Sequence, residues 1–201
     1  MEKEMFSFYK NALSGAITTP LCANYTQEWR GCNDDKAKLM KLVMRQQSLP
    51  YFITHCYQGK GLSKEYILKA FWDYVNMNTE KAIINDADLV QDYTYALYVA
   101  FKGIFKAAVD VLAFMWCSNT HMTIQASKCP VLYVGAKSTI HITCDGYNCP
   151  KIYLFDESKV ILDDVDEDSS IIIYKYSDNA KVEIGKYCLG DVKTFNKELR
   201  L

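Results

Sequence analysis

The chain has 201 residues, half of them hydrophobic and 23% charged, enough to bury a substantial core in one or two small domains. A net charge of -1 and only three arginines, Arg30, Arg45 and Arg200, argue against general nucleic-acid binding, which needs a basic excess. The opening MEKEMFSFYK lacks a secretory signal, and no run of 18 apolar residues could span a membrane, so the chain is expected in the cytoplasm when made.

Residues 1–90 read as a helical region. In NDDKAKLMKLVMRQQ, Asn33 is the expected cap, with Asp34 and Asp35 in the first turn, where carboxylates suit the helix dipole. Pro50 opens a second short helix, YFITHCYQ, which Gly59 and Gly61 end. Ser63 caps a third, KEYILKAFWDYVN, with Leu62 and Ile67 placed as a hydrophobic staple. The alternating YTYALYVAF, 93–101, reads as a strand, either a first partial coil or a separate cover.

From there to residue 201 the apolar residues keep a twenty-residue register. One column reads Leu112, Leu132, Ile152, Ile172, Val192, and the next Phe114, Val134, Leu154, Tyr174, Thr194. A second set reads Thr120, Ile140, Val160, Ala180 and Met122, Ile142, Leu162, Val182. Between the sets runs a small polar turn column, Ser118, Ser138, Ser158, Asp178. Alternation at a fixed period predicts a β-solenoid of four to five coils over 91–201, in which matching residues stack at strand spacing. The chain is therefore α+β: a helical region followed by a short β-helix. Strands are expected at 131–135 and 139–143, with a less regular third side through CDGYN and DVDED. A single coil hides about five apolar side chains at about 1.5–3 kcal/mol each. Ordering its backbone costs about 1–2 kcal/mol per residue, so coils are stable only when stacked.

Cys129-Pro130 and Cys149-Pro150 fall on one corner of adjacent coils, where proline starts a strand. With eight cysteines and no export signal, reduced and mostly buried thiols are expected, and this pair reads as a stacked apolar ladder ahead of a disulfide or metal pair. The outward residues Val131, Tyr133, Tyr153, Phe155, Ile171 and Ile173 are too apolar to stay wet and form the expected interaction surface. The N-terminal helices are the first expected cover; a second copy or a protein partner is the next.

Reactive constellations are weak. His55 and Cys56 point about 100 degrees apart on a helix, so they read as core residues and not as a nucleophile pair. GKG lacks the phosphate-loop pattern. Asp164, Asp166 and Asp168 in LDDVDEDSS are weak cation candidates, since Ser169 and Lys175 replace the turn glycine and bidentate glutamate of a calcium loop. His121 and His141 share an outward column and read as a surface ladder before a metal pair. The solenoid has no arginine before Arg200, and Asp156 is the only acid in its column, so the convergent carboxylates of polysaccharide cleavage are missing. No catalytic residue, cofactor or resident metal is assigned.

RQQSLPYFITHCYQGKGLSKEYI, KCPVLYVGAKSTIHITCDGYN, IYLFDES, YKYSDNA and GKYCLG...NKELRL resemble uncharacterised proteins of gut Bacteroides species and their phages, over most of the chain from about residue 30. That group has no established activity, so the resemblance carries over no site; it implies a phage setting, with incorporation into a virion. The expectation is a non-enzymatic structural or interaction protein, a virion or tail-fibre component acting as a homo-oligomer or through a protein partner. A carbohydrate-binding or carbohydrate-cleaving module, with a glycan partner, is the alternative, and a phage effector of a host protein a further one. Neither nucleic acid nor membrane is an expected partner.

Overall fold

The computed structural model describes residues 27–28, 31–32, 35–45, 48–75, 85–86 and 94–198. Among residues 35–75, three short helices, α1 (Lys36–Val43), α2 (Leu49–Tyr57) and α3 (Lys64–Ala70), precede a 3-10 turn, Trp72–Tyr74. Asp35, not Asn33, caps α1: its carboxylate accepts from the Lys38 N–H at 3.0 Å. Asn33 and Asp34 lie outside the described residues. Pro50 sits in the first turn of α2, and the Ser63 hydroxyl caps α3 by accepting from the Tyr66 N–H at 3.1 Å. The third helix stops at Ala70, short of the expected span, because Phe71 leaves helical geometry and buries its ring 6.1 Å from Tyr66.

Twelve strands follow: β1 (Asn85–Asp86), β2 (Thr94–Val99), β3 (Gly103–Lys106), β4 (Val111–Met115), β5 (Thr120–Ile124), β6 (Val131–Gly135), β7 (Thr139–Cys144), β8 (Lys151–Leu154), β9 (Lys159–Val165), β10 (Ser170–Lys175), β11 (Lys181–Cys188) and β12 (Asp191–Asn196). They wind as a β-solenoid of about five turns. The even strands from β2 to β12 form one parallel sheet with β1 added at its start, and the odd strands from β3 to β11 form the other. Between β4 and β8, and from β5 to the middle of β9, partners are twenty residues apart: Leu112 pairs with Leu132 and Leu132 with Ile152, Thr120 with Ile140 and Ile140 with Val160. Residues 94–99 are the first coil, on a shorter repeat, with Tyr95 opposite Val111.

The turn column owes its serines to coil-to-coil bonding. The buried Ser138 hydroxyl accepts from the Cys117 N–H at 3.1 Å, and the buried Ser158 hydroxyl lies within hydrogen-bond reach of the Val134 carbonyl at 2.9 Å and the Phe155 carbonyl at 2.6 Å. Before that turn the backbone must swing through the left-handed region, as it does at Trp116, Ala136 and Asp156 (φ 54, 50 and 55).

The twenty-residue register fails within β9. Thr143 pairs with Asp164, not Asp163, so Asp163 is an extra, bulged residue. The next strand is offset by one: Ile173, not Ile172, stacks on Ile152, and Tyr174 on Tyr153. A slip of one residue exchanges the two faces of a strand. Ile171 and Ile173 are therefore fully buried inside the solenoid and are removed from the expected interaction surface, while Ile172 and Tyr174 face outward.

Two cores share the sheet β2–β4–β6–β8. The inner one fills the solenoid with columns such as Leu112, Leu132, Ile152 and Ile173. The outer one joins the helices to the opposite face, where Ile53 and Phe71 pack with Leu97, Met115, Tyr133 and Phe155. Val131 and Tyr153 border it. The helices are thus the cover that the apolar outward face required. Gly135 permits the close approach: a Cβ there would lie 2.2 Å from Ile53 Cγ2.

Candidate functional site

The two ends of the solenoid differ. At the first coil Tyr98 fills the interior, stacked on Phe105 at 4.6 Å and on Phe114 at 5.1 Å. There β1 pairs antiparallel with Thr94 and Tyr95 of β2, while β3 is the free edge of the other sheet among the described residues. At the last coil, among the described residues, nothing pairs with the outer edges of β11 and β12. Val182, Cys188 and Val192 pack against the inner core but stay half-buried, and among the described residues no further coil covers them. Around them Ile184, Tyr187, Leu189 and Phe195 are 55%, 62%, 70% and 45% exposed.

The backbone of β12 is ordered for a further strand. The Asp191 N–H donates to the Ser169 carbonyl at 2.9 Å and the Lys197 N–H to the Lys175 carbonyl at 2.7 Å, both toward β10. By the alternation of a parallel ladder, the N–H groups of Val192, Thr194 and Asn196 face the free edge. Charges of both signs flank it: Lys193 pairs with Asp191 at 2.8 Å, and Lys159 with Glu183 of β11 at 2.7 Å.

An aromatic column runs up the outside of the even-strand sheet to this end. Tyr133, Tyr153, Tyr174 and Phe195 stack with centroids 4.9, 5.2 and 5.7 Å apart, and Phe155 stacks on Tyr176 at 5.2 Å. The rings are near parallel, so each ring face within the column is occupied by its neighbour. A sugar would need those faces.

The other sequence candidates are dispersed, with one exception. Asp164 faces outward at the end of β9, the Asp166 carboxylate accepts from the Gly146 N–H, and Asp168 lies exposed in the corner. These three do not converge as a ligand group. His55 is half-buried, and burial, then the nearby Lys60 charge, depresses its pKa. The Cys56 thiol is buried and pushed strongly up by desolvation. Burial likewise raises Cys32 to about 11 and Cys117 and Cys144 to about 12, so these thiols are unreactive core groups.

Cys129 and Cys149 are joined in a disulfide, which corrects the expectation of a reduced stacked pair. The reason is the register itself: stacking one residue directly above another on adjacent coils brings their Cα atoms to 4.6 Å, within disulfide reach. The exception among the candidates is His121 with His141, whose rings stack at 4.2 Å. Asp163 joins them, with its carboxylate 2.9 Å from His141 Nδ1 and 3.9 Å from His121 Nδ1. Sequence spacing missed this acid, because the residue in register with His141 is Ile161 and the bulge is invisible in the columns.

Comparison with family models, curated proteins and solved structures finds no match for the chain. Among the described residues no helix is long and apolar enough to cross a membrane.

Proposed function

We propose that the protein is a non-enzymatic assembly component whose last coil docks the same coil of a second copy, tail to tail. The observation that carries this reading is the last coil, where, among the described residues, both strands are open edges over half-covered core residues. The first coil, by contrast, has an aromatic plug and an antiparallel strand on one of its two edges. Exposed edge strands template pairing with another chain.

Charge and backbone pattern favour a second copy as the occupant. Antiparallel pairing of β12 with itself about Thr194 sets Asp191 opposite Lys197 of the other copy, twice by symmetry. In that register Thr194 and the Val192–Asn196 pair exchange backbone hydrogen bonds through the groups that face the edge. Lysines along the edge oppose indiscriminate pairing. The disulfide suits a protein that persists in an oxidising setting such as a particle or cell surface, in keeping with the virion role that the sequence resemblance implies. A carbohydrate-binding reading gains less support, because within the column the faces of Tyr133, Tyr153 and Tyr174 that would stack on sugar rings are taken by one another.

Sedimentation velocity of the intact chain should show a dimer at micromolar concentration. Thr194→Pro removes an outward donor while leaving the ladder to β10 in place, and should yield monomer. Asp191→Lys should weaken the dimer, and adding Lys197→Asp should restore it. A monomer at about 100 μM, which leaves Kd too weak for a stable assembly, or a dimer indifferent to these changes, ends the self-docking reading.

A further inference from the structure

We propose that His121, His141 and Asp163 form a binding site for a borderline divalent transition metal of the Zn(II) class, assembled from three consecutive coils on the outer face of the odd-strand sheet. The three donor atoms all lie within 4.8 Å of one another. Zinc holds imidazole nitrogen and carboxylate oxygen at about 2.0–2.2 Å, which places ligand atoms on one ion about 3.3–3.5 Å apart. The separations of 2.9 Å for His141 and 3.9 Å for His121 from Asp163 bracket that spacing. Because the two rings stack nearly parallel, their in-plane lone pairs run side by side. Ring rotations that tilt the imidazoles toward each other would aim both at one ion without moving a strand.

The solenoid supplies the geometry. His121 and His141 are direct partners across β5 and β7, so their donors are held at strand spacing on one face. Asp163 reaches the same point only because it is the extra residue of the β9 bulge. That bulge is accommodated by Gly185 of the coil above, where a Cβ would lie 2.6 Å from the Leu162 carbonyl oxygen, 2.7 Å from that of Asp163 and 3.1 Å from its Cα. A second irregularity, between Ile184 and Tyr187 of β11, follows the first. Bulges commonly re-aim a side chain, and here the carboxylate is turned onto two stacked imidazoles.

The donor set decides the class of ion. Two imidazoles and one carboxylate suit zinc, copper, nickel or iron, whereas calcium and magnesium require more oxygen ligands than the site offers. Cys144, at the end of β7, is buried on the solenoid side of the strand and is no ligand here. The three side chains are between a fifth and two fifths exposed, so water can complete the coordination shell from the solvent side.

Isothermal titration of the full chain with Zn(II) should show one ion bound per chain. His121→Ala, His141→Ala and Asp163→Asn should each weaken binding by at least about tenfold, the lower limit for losing even an indirect support of a metal. Asp166→Asn, in the acidic corner, should leave the affinity unchanged. Circular dichroism of each variant without metal should match the parent, because all three side chains are partly exposed. Co(II) substitution should give visible bands without thiolate charge transfer. Absence of saturable binding, an affinity in the three variants equal to that of the parent, or a thiolate band pointing to a cysteine site would each overturn the proposal.

Discussion

Replacing Gly135 with alanine tests how the helices sit on the solenoid. The new Cβ would stand 2.2 Å from Ile53 Cγ2, while carbon atoms pack at about 3.5–4.0 Å, so α2 or the sheet must retreat by about 1.3–1.8 Å. Ile53 is fully buried and cannot swing aside, and the backbone of Gly135 is hydrogen-bonded into the sheet. Overpacking of this kind costs about 1–3 kcal/mol. For a chain of this size each kcal/mol lowers Tm by about 2–4 °C. Gly135→Ala should therefore melt about 2–12 °C below the parent by circular dichroism, and should bind a hydrophobic dye as Tyr133 and Phe155 lose their cover. Ile53→Ala alone should cost about 2–5 kcal/mol through the cavity it leaves. The double variant should be less unstable than the sum of the two by about 1–3 kcal/mol, because the alanine at 135 then fills space that Ile53 vacated. Strict additivity, or an unchanged melt for Gly135→Ala, would show that the helices do not rest on this contact.

The register slip makes opposite predictions for two adjacent isoleucines. Ile173→Asp should destabilise by more than about 3 kcal/mol in urea melts, since it buries an unpaired charge, while Ile172→Asp should stay within about 1 kcal/mol; equal costs would refute the offset pairing. Asp156 gives a pH test: burial, opposed by the hydrogen bond from the Ala136 N–H, raises its pKa above the ordinary 3.8. The folded state then holds its proton more tightly than the unfolded chain, so this residue's contribution to stability falls as pH climbs from the ordinary value through the raised one. Asp156→Asn, which keeps an acceptor oxygen and tolerates the positive φ, should gain stability over the parent above that window and match it at about pH 3; an offset independent of pH would contradict the account.

Much of the fold could be read from local chemistry. Ser63 and Pro50 mark helix starts because capping and a fixed φ act within one turn. The twenty-residue columns foretold the strands at 131–135 and 139–143 closely, since each coil repeats the same inward and outward alternation. The cap of α1 was misread by two residues, as three adjacent polar residues offer equivalent acceptors. The outward aromatic column was less legible still. Tyr174 and Phe195 join it only after the bulge at Asp163 has shifted the register.

The sequence by itself determined that the chain winds into coils, because stacking requires the same residue type at the same phase in every turn, and that pattern survives in one dimension. It also dictated that one outer face needed a cover, since tyrosine, phenylalanine and valine recur there. The tertiary structure alone decided the rest: the pairing of Cys129 with Cys149, the insertion of Ile173 into the core and the meeting of Asp163 with two histidines. Each depends on distances between residues about one coil or more apart, and one bulged residue changes which of them meet. Periodicity records the regular part of a solenoid; its ligand-like cluster arises where the period breaks.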